Sequence, residues 1–284
     1  MSGGASRHDV PELPETETIA RDLDRAIAGS RITDVRVRRG DVLREVDARQ
    51  LRRRVVGFVI DRAWRRAKLI VLDLSSRDRI VVQPRFTGAL LIDDGALPEN
   101  ERRYSTVEFM LEDTRSLHYR DIRRLGTVSV MDERRFARYS DALGDEPLDS
   151  VFTAERLSAI LRASRQAVKR VLMDQRRLVG VGNIYANEAL WRARIDPSRP
   201  AATLSPADAA RLHAELRAVL TDAVAARGTS FRDYRDASGA RGSFAERLQA
   251  YGREGKACQR CGRTLVATHA IDGRSTVFCW QCQR

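Results

Sequence analysis

The chain has 284 residues, 43% of them hydrophobic, which is enough for two domains of ordinary size and a substantial core. It has no apolar run of about eighteen residues, so no bilayer-spanning helix is available, and Met1 to Asp9 is small and polar, unlike a secretory or organellar leader. Lys and Arg outnumber Asp and Glu by 51 to 39, and a net charge of +12 attracts polyanions, nucleic acid first among them. Those features lead to the expectation of a cytoplasmic, nucleoid-associated protein with no membrane partner. All but three basic residues are arginine, the exceptions being Lys68, Lys169 and Lys256.

Residues 1–10 read as a disordered extension. Pro11-Glu12-Leu13-Pro14-Glu15-Thr16-Glu17 then opens a helix, with prolines in its first turn, acids complementing the dipole, and Ile19, Leu23, Ala26 and Ile27 on one face before Gly29. From Ile32 to Val130 the pattern changes to short strands. These are Val35/Val37, Val55–Ile60, Leu69–Leu74, Ile80–Gln83, Ala89–Ile92, Val107–Leu111 and Thr127–Val130, broken by Ser-Ser-Arg-Asp and Asp-Asp-Gly turns. Residues 11–131 are therefore expected to form a helix plus a β-sandwich, and residues 132–152, with Gly144 and Pro147, a linker. Helical periodicity follows over 153–249. Thr153 caps a helix to Ala163, a second runs from about Gln166 to Met173, a third from Asn183 to Arg192, and Ser205-Pro206 starts a long one that stops at Gly228. Phe231 to Gln249 reads as a polar, glycine-containing loop, and residues 250–284 as a cysteine-bearing hairpin. The fold class expected is α+β.

Cys258-x2-Cys261 and Cys279-x2-Cys282 have the spacing with which two tight turns present four thiolates to one structural Zn2+. With every ligand supplied by protein, no position is left open for catalysis. Between the pairs, Asp272-Gly273 reads as a two-residue hairpin turn that puts Arg274 at the tip, where it can enter a groove or reach phosphate. Gly180-Val181-Gly182-Asn183 places glycines in a turn ahead of a helix, either a phosphate site capped by Asn183 and helped by Lys169 or a plain helix connection. Pro11 beside Glu12 pairs an amine with an acid, but in an amide with Val10 the proline nitrogen has no nucleophilicity.

Taken together, the opening Pro11 to Glu17, Arg66-Ala67-Lys68, Thr87-Gly88, Asp121-Ile122-Arg123-Arg124-Leu125-Gly126, Leu143-Gly144-Asp145-Glu146-Pro147-Leu148, Gly180 to Glu188, Tyr251-Gly252-Arg253-Glu254-Gly255 and the four cysteines resemble formamidopyrimidine-DNA glycosylase. The motifs run in family order from residue 11 to 284. The Pro-Glu-Leu-Pro-Glu opening is similar to the formamidopyrimidine branch and unlike the Pro-Glu-Gly opening of endonuclease VIII relatives. The resemblance implies two lobes, a catalytic β-sandwich domain and a helix-two-turn-helix domain ending in a zinc finger, with DNA in the cleft between them.

It also implies a monomeric, bifunctional glycosylase and abasic-site lyase. Its partner is double-stranded DNA containing oxidised bases or abasic sites, from which it releases 8-oxoguanine and formamidopyrimidines by base flipping, iminium formation and β,δ-elimination. Carried over, Pro11 is the nucleophile, Glu12 the acid/base, and Lys68 and Arg274 complete the catalytic set. Asn183 and Arg274 grip phosphate, with Lys169 read from its place near the glycine turn as a further DNA-binding residue, and a loop from about 233 to 244 closes over the everted purine. Two departures stand out. Gln83-Pro84-Arg85-Phe86 replaces the family's His-Leu-Gly-Met and Leu125 its phenylalanine, so Phe86, Arg123 and Leu125 are left to fill the void in the duplex. The extension implies that Val10 is a GTG start decoded as methionine, whose removal exposes Pro11. If Pro11 stays blocked, the alternative is a non-catalytic damaged-DNA or abasic-DNA binder. Endonuclease VIII-like action on oxidised pyrimidines is a third reading.

Overall fold

The computed structural model describes residues 11–231 and 233–284, so the extension and the start expected at Val10 lie outside the described residues. The chain divides into two compact units, one running to Asp141 and completed by Ala226–Ala245, the other made of Ala142–Ala225 and Glu246–Arg284.

In the first unit, α1 (Leu13–Ile27) begins with a reciprocal capping box between Glu12 and Glu15 and buries Ile19, Leu23 and Ile27. The strands and short helices that follow are β1 (Ile32–Val37), α2 (Ala48–Val55), β2 (Ile60–Arg66), β3 (Leu69–Leu74), β4 (Arg79–Gln83), β5 (Gly88–Asp93), α3 (Glu99–Arg102), β6 (Ser105–Leu111), β7 (Ser116–Asp121), β8 (Thr127–Met131) and α4 (Glu133–Asp141). They form two antiparallel four-stranded sheets, β1-β6-β7-β5 and β2-β3-β4-β8. Val35, Val107, Phe109, Leu117 and Tyr119 of one sheet meet Ile70, Leu72, Val82, Val128 and Val130 of the other in a core that also takes in α1. Because side chains alternate along a strand, these apolar positions are every second residue.

Three local expectations are corrected here. Val55–Ile60 is not a strand: Asp47 and Gln50 make a capping box that starts α2, Val55 ends it, and Gly57 at φ +88° turns the chain into β2. Within the expected linker, Asp132 accepts from Arg135 N at 2.8 Å and starts α4, whose Phe136 is buried edge-on to Trp64 at 5.5 Å. The segment expected as a polar loop from Phe231 buries Tyr234, Ala237 and Phe244, and Tyr234 and Ala237 join the sandwich core. β7 was not expected at all, although Leu117 and Tyr119 alternate inward along it.

The second unit packs α5 (Ala154–Arg162), α6 (Val168–Met173), α7 (Asn183–Ala193) and α8 (Pro206–Ala225) ahead of a hairpin of β9 (Val266–Thr268) and β10 (Thr276–Phe278). Thr153 caps α5 through its hydroxyl, as expected. The buried Glu188 of α7 accepts from the backbone N–H groups of Gln249, Ala250 and Tyr251 at 2.8–2.9 Å, which seats the start of the finger on the helices. Burial pushes the Glu188 carboxyl up, against the pull of those three donors.

Candidate functional site

The first unit gathers its chemistry at one end of the sheet β2-β3-β4-β8. Arg66 pairs with Leu69 across a two-residue turn, so Lys68 sits at the tip with Ala67 at φ +55°. Arg65 Nη1 donates to Ala67 O at 3.0 Å and its Nε to Glu17 Oε2 at 2.8 Å, which ties the turn to the early part of α1. Burial raises the Glu17 carboxyl, but Arg65 and Arg21 outweigh it and hold the group below its ordinary value. Gln83 pairs with Thr127 on the same rung of the sheet, so the turn that carries Phe86 and the loop that carries Arg123 and Leu125 leave the sheet together.

One buried carboxylate organises those two loops. Asp121 accepts from Thr87 Oγ1 at 2.6 Å, Gly126 N at 2.8 Å and Tyr119 Oη at 3.2 Å, and Thr87 Oγ1 accepts from Arg123 N at 2.9 Å. Gly126 is required here, since a Cβ would fall 1.9 Å from Tyr119 Oη. Phe86 is held at φ +45°, and the Arg123 guanidinium lies 4.9 Å from its ring centroid, a cation–π stack. Leu125 is 41% exposed at the edge of this cluster. Thr87 and Asp121 fall in the motifs quoted above but received no role from them; their signal was a hydroxyl and a carboxylate at loop bases.

Pro11 and Glu12 are buried at the start of α1. Glu12 N donates to Glu15 Oε2 at 2.9 Å, and the second oxygen of Glu15 accepts from Thr229 N at 2.7 Å. Tyr234 Oη adds a bond to Glu15 O at 3.3 Å. Glu15, read from sequence as a dipole partner, is thus also a joint between the start of α1 and the returning segment 226–245. Arg227 pairs with both Asp22 and the fully buried Asp236, and Ile92 N donates to Ala237 O at 2.9 Å, so that segment is anchored to the same unit along its length.

In the second unit the sequence-predicted residues gather around the finger. Lys169, expected to face DNA, is fully buried: its Nζ donates to Thr276 Oγ1 at 2.7 Å and lies 3.6 Å from Asp272 Oδ1. Asn183 does not cap α7, whose N-cap is Gly182; its amide donates to Ser275 O at 3.1 Å. Asn187 Oδ1 accepts from Val277 N at 2.7 Å. These side chains hold 275–277 from outside the hairpin, so the strands part at Thr268 and Thr276 and the loop spans 269–275 rather than a two-residue Asp272-Gly273 turn. Arg274 is exposed on that loop, its N–H bonded to Asp272 Oδ1 at 3.1 Å.

The ligating atoms of Cys258, Cys261, Cys279 and Cys282 lie within 4.8 Å of one another, and Cys258 and Cys279 are buried among Trp191, Ala250, Leu265 and Val277. An all-thiolate, closed set of that size fits a tetrahedron of about 2.3 Å Zn–S bonds, so the finger is built for one structural Zn2+. Among the described residues no helix is long and apolar enough to cross a membrane.

A model of the formamidopyrimidine-DNA glycosylase N-terminal domain matches residues 10–128, and one of the formamidopyrimidine-DNA glycosylase H2TH domain matches residues 143–235. A formamidopyrimidine-DNA glycosylase of Roseiflexus sp. (strain RS-1) is 39% identical over 278 residues, covering 97% of this chain and 100% of the relative. The crystal structure of the MutM (Fpg) protein from Thermus thermophilus superposes with a TM-score of 0.85 at 35% identity, over 96% of this chain and 98% of that one. Wild-type Lactococcus lactis Fpg (MutM) in complex with DNA containing N7-benzyl-Fapy-dG gives 0.88 at 28% identity, over 96% and 100%.

Proposed function

The chain belongs to the formamidopyrimidine-DNA glycosylase family, and from that premise we propose that it releases oxidised purines from duplex DNA through Pro11 and then cleaves the strand. It is a base-excision repair DNA glycosylase of a family that is bifunctional, with abasic-site lyase activity. The observation that carries the reading is the convergence in one unit of a buried Pro11-Glu12 pair, the Lys68 turn tied to α1 through Arg65 and Glu17, and the Phe86–Arg123–Leu125 cluster.

Freed of Val10, the Pro11 amine attacks C1′ of the everted nucleotide. The bond from C1′ to the base breaks, Glu12 protonates the ring oxygen so that the sugar opens, and an iminium joins protein to DNA. Proton loss from C2′ then expels the 3′ phosphate and a second elimination the 5′ phosphate, with Glu12 moving protons beside the amine. Lys68 contacts the substrate, while Phe86, Arg123 and Leu125 fill the space the nucleotide leaves. Lys169 and Asn183 act by positioning the loop from which Arg274 reaches phosphate. The finger's Zn2+ supplies structure alone.

In these terms the first unit, completed by 226–245 with its base-holding segment at 233–244, is the catalytic body, and the second unit carries the helix-two-turn-helix element and, over 250–284, the finger. The protein acts as a monomer on chromosomal DNA, at the nucleoid. Residue 10, where the N-terminal family model begins to match, supports exposure of Pro11 by removal of what precedes it.

The test is borohydride trapping of the 284-residue chain, and of a chain starting at Pro11, on an 8-oxoguanine oligonucleotide, with intact-mass analysis of each N-terminus. An adduct that forms only where Pro11 is free is expected. Affinity for an abasic-site analogue with no adduct from either chain overturns the mechanism and leaves a binding protein. Preferential release of oxidised pyrimidines in a competition panel overturns the substrate class.

A further inference from the structure

Arg120 precedes Asp121 on β7 and points away from Leu117 and Tyr119, yet it is only 4% exposed. Its Nε lies 2.7 Å from Glu101 Oε2 on α3. Its Nη1 donates to Thr87 O at 2.8 Å, in the turn that carries Phe86, and to Asp233 O at 3.4 Å, at the head of the segment 233–244. The same neighbourhood is felt by Arg235, which burial first and then Arg241 and Arg120 hold below its ordinary value, against Glu101 and Asp233.

A buried guanidinium is a demanding choice for a sheet face. A well-packed hydrophobe of similar volume is often at least as stable, whereas a planar fork of donors can serve two backbone segments at once in fixed geometry. We propose that Arg120 is a positioning residue that couples the Phe86 turn to the 233–244 segment, so that filling the duplex and seating the everted base are one step. This rests on the reading above, in which Phe86 enters the duplex and 233–244 holds the base. It has a consequence specific to this pair of reactions. Release of a base requires both events, whereas an abasic site offers no base to seat and is cleaved without the coupling.

The experiment uses the chain with Pro11 freed and compares single-turnover release of 8-oxoguanine with cleavage at a preformed abasic site, opposite the same base. The variants are Arg120→Lys, Arg120→Met, and Arg120→Met combined with Glu101→Gln, which removes the carboxylate left without its cation. Thermal unfolding is recorded for each. Base release is expected to fall on the order of 10²-fold in the double variant, the scale of a displaced reacting group, and by less in Arg120→Lys, while abasic-site cleavage keeps its wild-type rate. Equal loss of both rates in the folded variants overturns the coupling, as does undiminished base release. A wild-type chain that cleaves neither substrate fails the underlying reading instead, and the coupling with it.

Discussion

Position 228 shows how tightly the start of α1 is fitted to the returning segment. Gly228 adopts φ +81°, and a Cβ there would lie 2.9 Å from Glu15 Oε1, the oxygen that accepts from Thr229 N. Gly239 has nearly the same backbone, φ +83°, with nothing within 4 Å of a Cβ. Alanine at either site meets the left-handed penalty of about 1 kcal/mol, but only Gly228→Ala also displaces the carboxylate. We therefore expect Gly228→Ala to lower the denaturation midpoint more than Gly239→Ala and to slow trapping at Pro11, because Glu15 also holds Glu12 N. Equal midpoints and equal trapping rates in the two variants would show that the joint has no such tension. Sequence alone shows the acid and the glycine far apart; only the fold brings the two together.

Elements governed by local rules were readable in advance. The proline- and acid-rich start of α1, the Thr153 cap, the alternating strands and the two Cys-x2-Cys pairs each rest on residues close in sequence. Those decided at a distance were not. α2 hides its two buried residues, Leu51 and Val55, among arginines, and the arrangement of the finger loop is set by Lys169, Asn183 and Asn187, some ninety or more residues upstream of the groups they hold. The Asp272-Gly273 pair has the local chemistry of a tight turn, yet Asp272 faces the buried ammonium of Lys169. Lys169→Met removes that cation and leaves Asp272 without it. The expected result is weaker binding to an abasic-site duplex with Zn2+ content unchanged, measured by titration and metal analysis; unchanged affinity would show that the ammonium does not shape the Arg274 loop for binding.

The charge of the whole molecule is carried by groups that do not titrate near neutrality. With 51 Lys and Arg, almost all Arg, set against 39 acids, DNA affinity is expected to fall steeply and linearly on logarithmic axes with salt, yet stay nearly flat between about pH 6.5 and 9. A titration series over both variables on the chain with Pro11 still in its amide checks this, since a freed amine titrates in that window, and a marked pH dependence there would point to histidine at the interface. The order in which the chain is made sets a different constraint. Tyr234 and Ala237 lie in the core of a unit whose other members end at Asp141. At about 5–20 residues per second, a ribosome reaches them on the order of ten seconds after β8. Through that interval the nascent sandwich is incomplete and keeps apolar surface open to water. Biogenesis of this protein is therefore expected to pass through a waiting state, one that a chaperone can occupy and that a fragment ending at Asp141 would not leave.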